Sequence, residues 1–312
     1  MACDNCTACG DMADELEQVT TQEDEESRRR KALKATGAEL IRGEGVSGIS
    51  VGGWRIQTRK APILKMGPRE KWEKVLGSMH LPQMVFGDNF LELVHEATGL
   101  KIHFNALDAL RGWKVESLPP VQIPAAAKWK SRIKPVEQVI LDYDYTFTTP
   151  YAGSQCVQNK ENDQGVVDGT LEWVESQERI DMAALQAKDP ILFYDEVVLY
   201  EDELDDNGIS LLTAKVRVMP SCWFLLLRFW MRVDGALMRL RDTRMFCRIE
   251  SGSTTFPVVI RERNIKEDSF DSLALKGYPK DSAMYNDPTV AGERLKQKGH
   301  ICEKLTMKSG TK

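Results

Sequence analysis

The fold is decided by residues 191–248, ILFYDEVVLYEDELDDNGISLLTAKVRVMPSCWFLLLRFWMRVDGALMRLRDTRMFCR. Ile191–Leu204 is an apolar-rich run, Asn207-Gly208 follows it, and Ile209–Met219 is a second run. Asn-Gly between two such runs is a strong hairpin signal, because both central positions of a type I′ turn need φ > 0. A two-residue loop there sets Leu199 opposite Val216 and Val197 opposite Val218. A second hairpin is expected from Trp223–Val233 and Ala236–Arg248, turning at Asp234-Gly235. Its two-residue register puts Val233/Ala236, Met231/Met238 and Phe229/Leu240 on one face. Arg232/Leu237, Trp230/Arg239 and Arg228/Arg241 then share the other. Two hairpins in succession make an antiparallel meander, not a parallel nucleotide-binding sheet.

This register has an electrostatic consequence. Arg228 opposite Arg241 on an arginine-rich face is repulsive, so acid must compensate. Glu201, Asp202, Glu203, Asp205 and Asp206 are the in-chain source, and an acidic partner is the external one. Asp242 falls opposite Leu227, at the solvent-open end of the apolar face, where it is free to meet a partner's donor.

Outward from this centre, Asn89–His95 and Leu100–Phe104 read as strands turning at Thr98-Gly99, and Asn105 is placed to cap a helix running to Trp113. Pro68 opens a helix carrying Trp72, Val75, Leu76 and Met79. Leu141, Tyr143, Tyr145 and Phe147 alternate with polar residues as a half-buried strand halted by Pro150. Residues 152–170 read as a loop, and Asp181 caps a helix over Met182–Lys188. The expected class is α+β, with antiparallel β-sheets built from hairpins and flanked by short helices. Residues 1–48, with the acidic Glu23–Glu26 beside the basic Arg28–Lys31, read as a disordered charged tail with a short helix across Glu25–Thr36. Residues 49–312 read as one globular domain.

Composition narrows the class. The balance of 42 Lys+Arg against 47 Asp+Glu, formally -5, argues against a dedicated nucleic-acid binder. The start of the chain lacks the basic and apolar regions of a secretory signal. The most apolar stretch, Cys222–Val233, is interrupted by Arg228 and Arg232 and falls short of the ~20 residues a membrane span needs. Seven cysteines without a secretory signal point to free thiols in a reducing compartment. The expectation is a soluble, monomeric cytoplasmic protein with no nucleic-acid or membrane partner. The Arg28–Lys31 run is a candidate nuclear signal.

Catalytic signatures are missing: the chain has no GxxxxGK[ST], GxSxG, HExxH or GxGxxG. His80, His95, His103 and His300 are too scattered to suggest a site, although His95 and His103 are candidates to neighbour one another across the first hairpin. Cys3, Cys6 and Cys9 form CxxCxxC, a partial metal-ligand set without an identified fourth donor. Asp142 with Asp144, and the 201–206 acidic hairpin, are alternative cation seats that strand alternation and turn preference already explain. The reading is of a binding protein with no cofactor, no resident metal and no catalytic residues. A metal-dependent enzyme using the acidic 201–206 hairpin is the competing reading.

Several segments carry a resemblance. They are Phe86-Gly87-Asp88-Asn89, Phe104 to Arg111, Asp144 to Tyr151, Glu201-Asp202-Glu203-Leu204, Val216-Arg217-Val218-Met219-Pro220, Phe224 to Phe229, Asp234-Gly235, Asp242-Thr243-Arg244 and Cys302-Glu303-Lys304-Leu305. In this order they resemble the TIP-forty-one-like (TIPRL) family of TOR-pathway regulators. The resemblance implies antiparallel sheets flanked by helices and binding to the catalytic subunits of type 2A, 4 and 6 protein phosphatases, restraining their activity or assembly. A general TOR-pathway adaptor engaging another subunit is a further reading. Family residues tied to the phosphatase contact match Asp108, Ile180 and Asp242 here. Leu240 stands where the family often has Met. The long N-terminal tail and the 152–170 loop depart from the family pattern.

Overall fold

The computed structural model describes residues 24–308 apart from 78–80, 113, 116–120, 125–137, 142–146, 158–170, 251 and 253. The strands in chain order are β1 (Glu39–Gly43), β2 (Val46–Val51), β3 (Trp54–Arg59), β4 (Met84–Val85), β5 (Phe90–His95), β6 (Leu100–Asn105), β7 (Lys114–Val115), β8 (Val121–Pro124) and β9 (Gln138–Leu141). They continue with β10 (Phe147–Thr148), β11 (Ser154–Val157), β12 (Leu171–Glu175), β13 (Phe193–Asp202), β14 (Gly208–Val218), β15 (Cys222–Val233), β16 (Leu237–Arg248), β17 (Val259–Ser269) and β18 (Gln297–Met307). The helices are α1 (24–36), α2 (Met66–Val75), α3 (Ala106–Arg111), α4 (Met182–Gln186), α5 (Phe270–Leu275) and α6 (Pro288–Arg294).

Two antiparallel sheets dominate. The smaller runs β1-β2-β3-β5-β6-β11, and the larger runs β12-β18-β17-β16-β15-β14-β13-β4. The pairs β7/β10 and β8/β9 form two further ribbons. The class is the expected α+β, hairpin-built. Facing side chains of the two sheets form the main core: Ile49, Trp54, Ile56, Leu91 and Leu93 from one, and Val197, Trp223, Leu225 and Leu227 from the other. Trp54 meets Trp223 edge-on at 5.2 Å between ring centroids, a favoured aromatic geometry.

The larger sheet is covered on its other face too. Trp230, Met238 and Leu240 pack under Phe270, Leu273, Tyr285 and Ala291. Met219, Cys222, Phe246 and Ile260 pack under Ile180, with Ala184 and Leu185 of α4 beside them. This double cover explains why β15 is apolar almost throughout, and why β16 is buried along most of its length, instead of alternating cleanly. No described helix is long and apolar enough to cross a membrane.

The structure corrects both expected registers. In the first hairpin Val197 faces Ala214, and Phe193 faces Val218. The turn is not centred on Asn207-Gly208. Leu204 and Asp206 take positive φ of 50° and 66°, while Asn207 stays at -107°. A type I′ loop at Asn-Gly is therefore not formed. The displacement of Val197 is even, so it keeps its face, and Val197, Val216 and Val218 are all buried. Leu199 lies at a bulge in this pairing.

In the second hairpin the shift is by one residue, which exchanges the faces. Val233 pairs with Leu237, Trp230 with Leu240, and Arg228 with Asp242 rather than Arg241. Gly235 has φ 74°, but Asp234 does not take positive φ, so a type I′ loop cannot close. Instead Ala236 N–H donates to the Val233 carbonyl at 3.0 Å, a type II arrangement with Gly235 at its third position, and Ala236 becomes the extra loop residue.

Within the expected tail, the short helix read across Glu25–Thr36 is present as α1, while the residues after it, expected as disordered, form the β1–β2 hairpin. Ile49 and Val51 at the end of β2 enter the main core. Residues 154–157, expected as loop, form strand β11 on the edge of the smaller sheet. His95 and His103 do not pair: His103 faces Glu92, and His95 bonds Thr98. The CxxCxxC motif and Asp142–Asp144 lie outside the described residues.

Candidate functional site

The β-pairing lays out the outer face of the larger sheet row by row, since directly paired residues share a face. One row runs Thr213, Arg228, Asp242, Asn264 and His300 across β14, β15, β16, β17 and β18. The next runs Lys215, Leu226, Arg244, Glu262 and Cys302. These rows form a polar band. The apolar patch under α6 borders it on one side and the patch under α4 on the other.

Asp242 is the anchor of the band. Its side chain is 4% exposed, and Arg228 grips it two-pronged, Nε to Oδ1 at 2.8 Å and a terminal nitrogen to Oδ2 at 2.7 Å. Paired, charge-assisted bonds of this kind are what a buried carboxylate requires. Burial pulls the Arg228 guanidinium toward a lower pKa, but the bonds and charge of Asp242 outweigh this and raise it. Arg244 adds a looser contact to Asp242 at 3.7 Å and remains open to solvent. Asp242 is thus not at a solvent-open apolar end, as the shifted register implied.

Compensation of the arginines is internal at three of them. Arg228 pairs with Asp242, Arg232 with Asp234, and Arg239 with Glu267. Asp202 of the acidic hairpin uses its carboxylate on the N–H groups of Gln83 and Leu204. The hairpin that carried the enzyme reading is therefore, at Asp202, a device for holding the strained Leu204 turn.

Leu240 is 4% exposed and lies beside Asp242 on the same face, as expected. It is the seat of α6. A Cβ on Gly292 would stand 2.5 Å from Leu240 Cδ2, so the glycine lets the helix backbone press on the leucine. Lys266 Nζ donates to the Gly292 carbonyl at 2.7 Å and Arg228 donates to Thr289 Oγ1 at 2.9 Å, tying α6 to the band.

Ile180 is 5% exposed in the patch across the band. Its N–H donates to Glu262 Oε1 at 3.0 Å. The next residue, Asp181, caps α4 by accepting from Ala184 N–H at 2.9 Å. Asp108 stands apart on α3 of the smaller sheet. It is bonded by Asn105 Nδ2 and Ser154 Oγ, each at 2.8 Å, and paired with Arg111 at 3.7 Å. The larger sheet therefore gathers Ile180, Leu240 and Asp242 around one band, while Asp108 shares no hydrogen bond with them. Sequence reasoning missed Arg228 as a member of this face, because a one-residue slip placed it behind; Arg244 follows Asp242 on the expected face but was not singled out.

Beside Tyr194, Met182, Leu185 and Leu226 the band opens into a surface hollow of about 370 Å³, rimmed by Arg217 and Phe224. Met182 and Tyr194 are more than half exposed. An apolar hollow next to a charged band suits a protein partner that offers both kinds of group.

The sequence model of the TIP41-like family matches residues 84–274. The TIP41-like protein of Arabidopsis thaliana is 55% identical over 287 residues, covering 90% of this chain and 97% of that protein. The human TIP41-like protein is 35% identical over 257 residues, covering 81% and 87%. A Saccharomyces cerevisiae protein named type 2A phosphatase activator TIP41 is 31% identical over 250 residues, covering 73% and 65%. With a family match across most of its length and a relative that similar, this chain belongs to the TIP41-like family.

Proposed function

We propose that this chain is a non-catalytic regulator that binds the catalytic subunit of type 2A-family Ser/Thr protein phosphatases, with types 2A, 4 and 6 as its partner set. In this reading it acts as a monomer in the cytoplasm within TOR signalling, and it restrains phosphatase activity or assembly. The partner class rests on family membership, since relatives from two yeasts carry the name type 2A phosphatase activator. The observation that carries the binding reading is the polar band: charged residues held in fixed pairs between two helix-covered patches, next to an open apolar hollow.

Within this reading the four expected residues divide by role. Asp108, with 30% of its side chain exposed, meets the partner directly. Asp242, Leu240 and Ile180 are nearly buried and act by setting the positions of Arg228, Arg244, α6 and α4, which present the surface. Purified phosphatase catalytic subunit, assayed on a phosphopeptide with and without this chain, gives the sign of regulation. A saturable fall in rate supports restraint. A rise overturns restraint in favour of the activity named in the yeast relatives, and no change at saturating concentrations overturns direct regulation.

A further inference from the structure

Three members of the polar band form a cluster to which the phosphatase reading gives no individual role. Glu262 on β17 pairs with Cys302 on β18, and His300 lies two residues before Cys302, so all three side chains share the face. Their donor atoms lie within 4.8 Å of one another. Cys302 Sγ is 3.6 Å from His300 Nε2, and that nitrogen is 3.8 Å from Glu262 Oε2. Zinc bonds of about 2.3 Å to sulfur and about 2.0 Å to nitrogen and oxygen imply tetrahedral edges of about 3.5 Å for S···N and about 3.3 Å for N···O. The thiol–imidazole and imidazole–carboxylate distances therefore stand close to the spacing that one ion would impose, and the thiol–carboxylate distance lies within 4.8 Å.

The surroundings support ligation. Glu262 Oε1 is held by the Ile180 N–H at 3.0 Å, leaving Oε2 directed at the imidazole. Such outer contacts orient first ligands in metal sites. The Ser176 N–H donates to the Cys302 carbonyl at 2.9 Å, so the segment leading to Ile180 is laid along the same strand. Cys302 is 5% exposed and His300 is exposed, which leaves the fourth coordination position facing solvent. Arg179 donates to the Ser176 and Glu178 carbonyls and is exposed.

We propose that Glu262, His300 and Cys302 form a three-donor site for a zinc-class divalent cation, with the fourth position open to solvent. Thiolate, imidazole and carboxylate together match the ligand preferences of zinc. On binding, the Cys302 thiol releases its proton to water. The thiol–imidazole contact gives way to two metal bonds, and thiolate and carboxylate together balance the ion's charge. The His-x-Cys spacing was readable in the sequence, but Glu262 is distant in the chain and only the β17–β18 pairing supplies it.

Cobalt titration of the full chain tests this, in a background where Cys3, Cys6 and Cys9 are changed to serine so that the other cysteine cluster does not contribute. The expected result is one equivalent bound, with a thiolate-to-cobalt charge-transfer band that zinc abolishes. Cys302→Ser should remove the band. His300→Ala and Glu262→Gln should each weaken affinity by more than about tenfold, the scale already set by outer-shell changes. Both keep the fold intact, since His300 is exposed and glutamine still accepts from Ile180. No band, or a band unchanged in Cys302→Ser or in His300→Ala, would leave only a thiol–imidazole hydrogen bond and overturn the proposal. The readout needs no phosphatase, so it stands or falls apart from the partner assignment.

Discussion

Arg228 and Asp242 face one another directly across β15 and β16, and two charge-assisted bonds of 2.8 and 2.7 Å lock the pair at the centre of the outer face. The pair also fixes α6, because the same arginine reaches Thr289. Asp242→Asn keeps the shape but removes the charge and one acceptor. It should cost about 2 kcal/mol of stability, the scale of a lost hydrogen bond to a charged group. Urea denaturation of the two proteins measures this. A loss indistinguishable from zero would mean that the pair is not a structural anchor.

The contact between Leu240 and Gly292 makes a double-mutant prediction. Leu240→Ala should cost about 2–5 kcal/mol, as buried leucine truncations do. Gly292→Ala alone should also destabilise, because its new Cβ would stand 2.5 Å from Leu240 Cδ2. Combined, the added methyl enters the space the leucine leaves. The double variant should be more stable than the sum of the two losses by at least about 0.5 kcal/mol. Additive losses would show that α6 is not seated on this leucine.

Much of this face could be read from the sequence, but not its register. Strand content followed from apolar runs, and the caps of α3 and α4 from Asn105 and Asp181 standing just before helix-forming stretches. Pairing was lost because Asp-Gly and Asn-Gly suggested two-residue loops, whereas Asp234 and Asn207 do not adopt the positive φ those loops need. An odd slip then exchanged the faces of a whole strand. The β1–β2 hairpin was missed because its charged, glycine-containing sequence gives a weak apolar signal, although Ile49 and Val51 are core. The docking of α6 on Leu240 had no periodic signature, since Ala291 and Gly292 contribute through small size.

A carboxylate on the smaller sheet gives a pH prediction. Burial alone would raise the pKa of Glu92, but its ion-pair contacts with His103 and Lys101 outweigh it and bring it down to about 2. A carboxylate depressed in the folded state stabilises fully above its unfolded value, near 4.5, and that contribution is lost as pH falls toward 2. Thermal unfolding between pH 5 and 2 should therefore show a steeper acid decline in the wild type than in Glu92→Gln. Parallel curves would remove Glu92 from the acid response.

The proposed partner, a type 2A-family phosphatase catalytic subunit, would dock on the outer sheet face together with α3. The direct measurement is calorimetric titration of purified catalytic subunit, without other subunits, into the wild-type chain and into the Asp108→Leu/Asp242→Asn variant, with circular dichroism confirming that both are folded. The expected result is saturable one-to-one binding that the double variant weakens by at least about tenfold, or about 1.4 kcal/mol. Equal affinity for both proteins would contradict the site, and no binding by the folded wild type would contradict the partner.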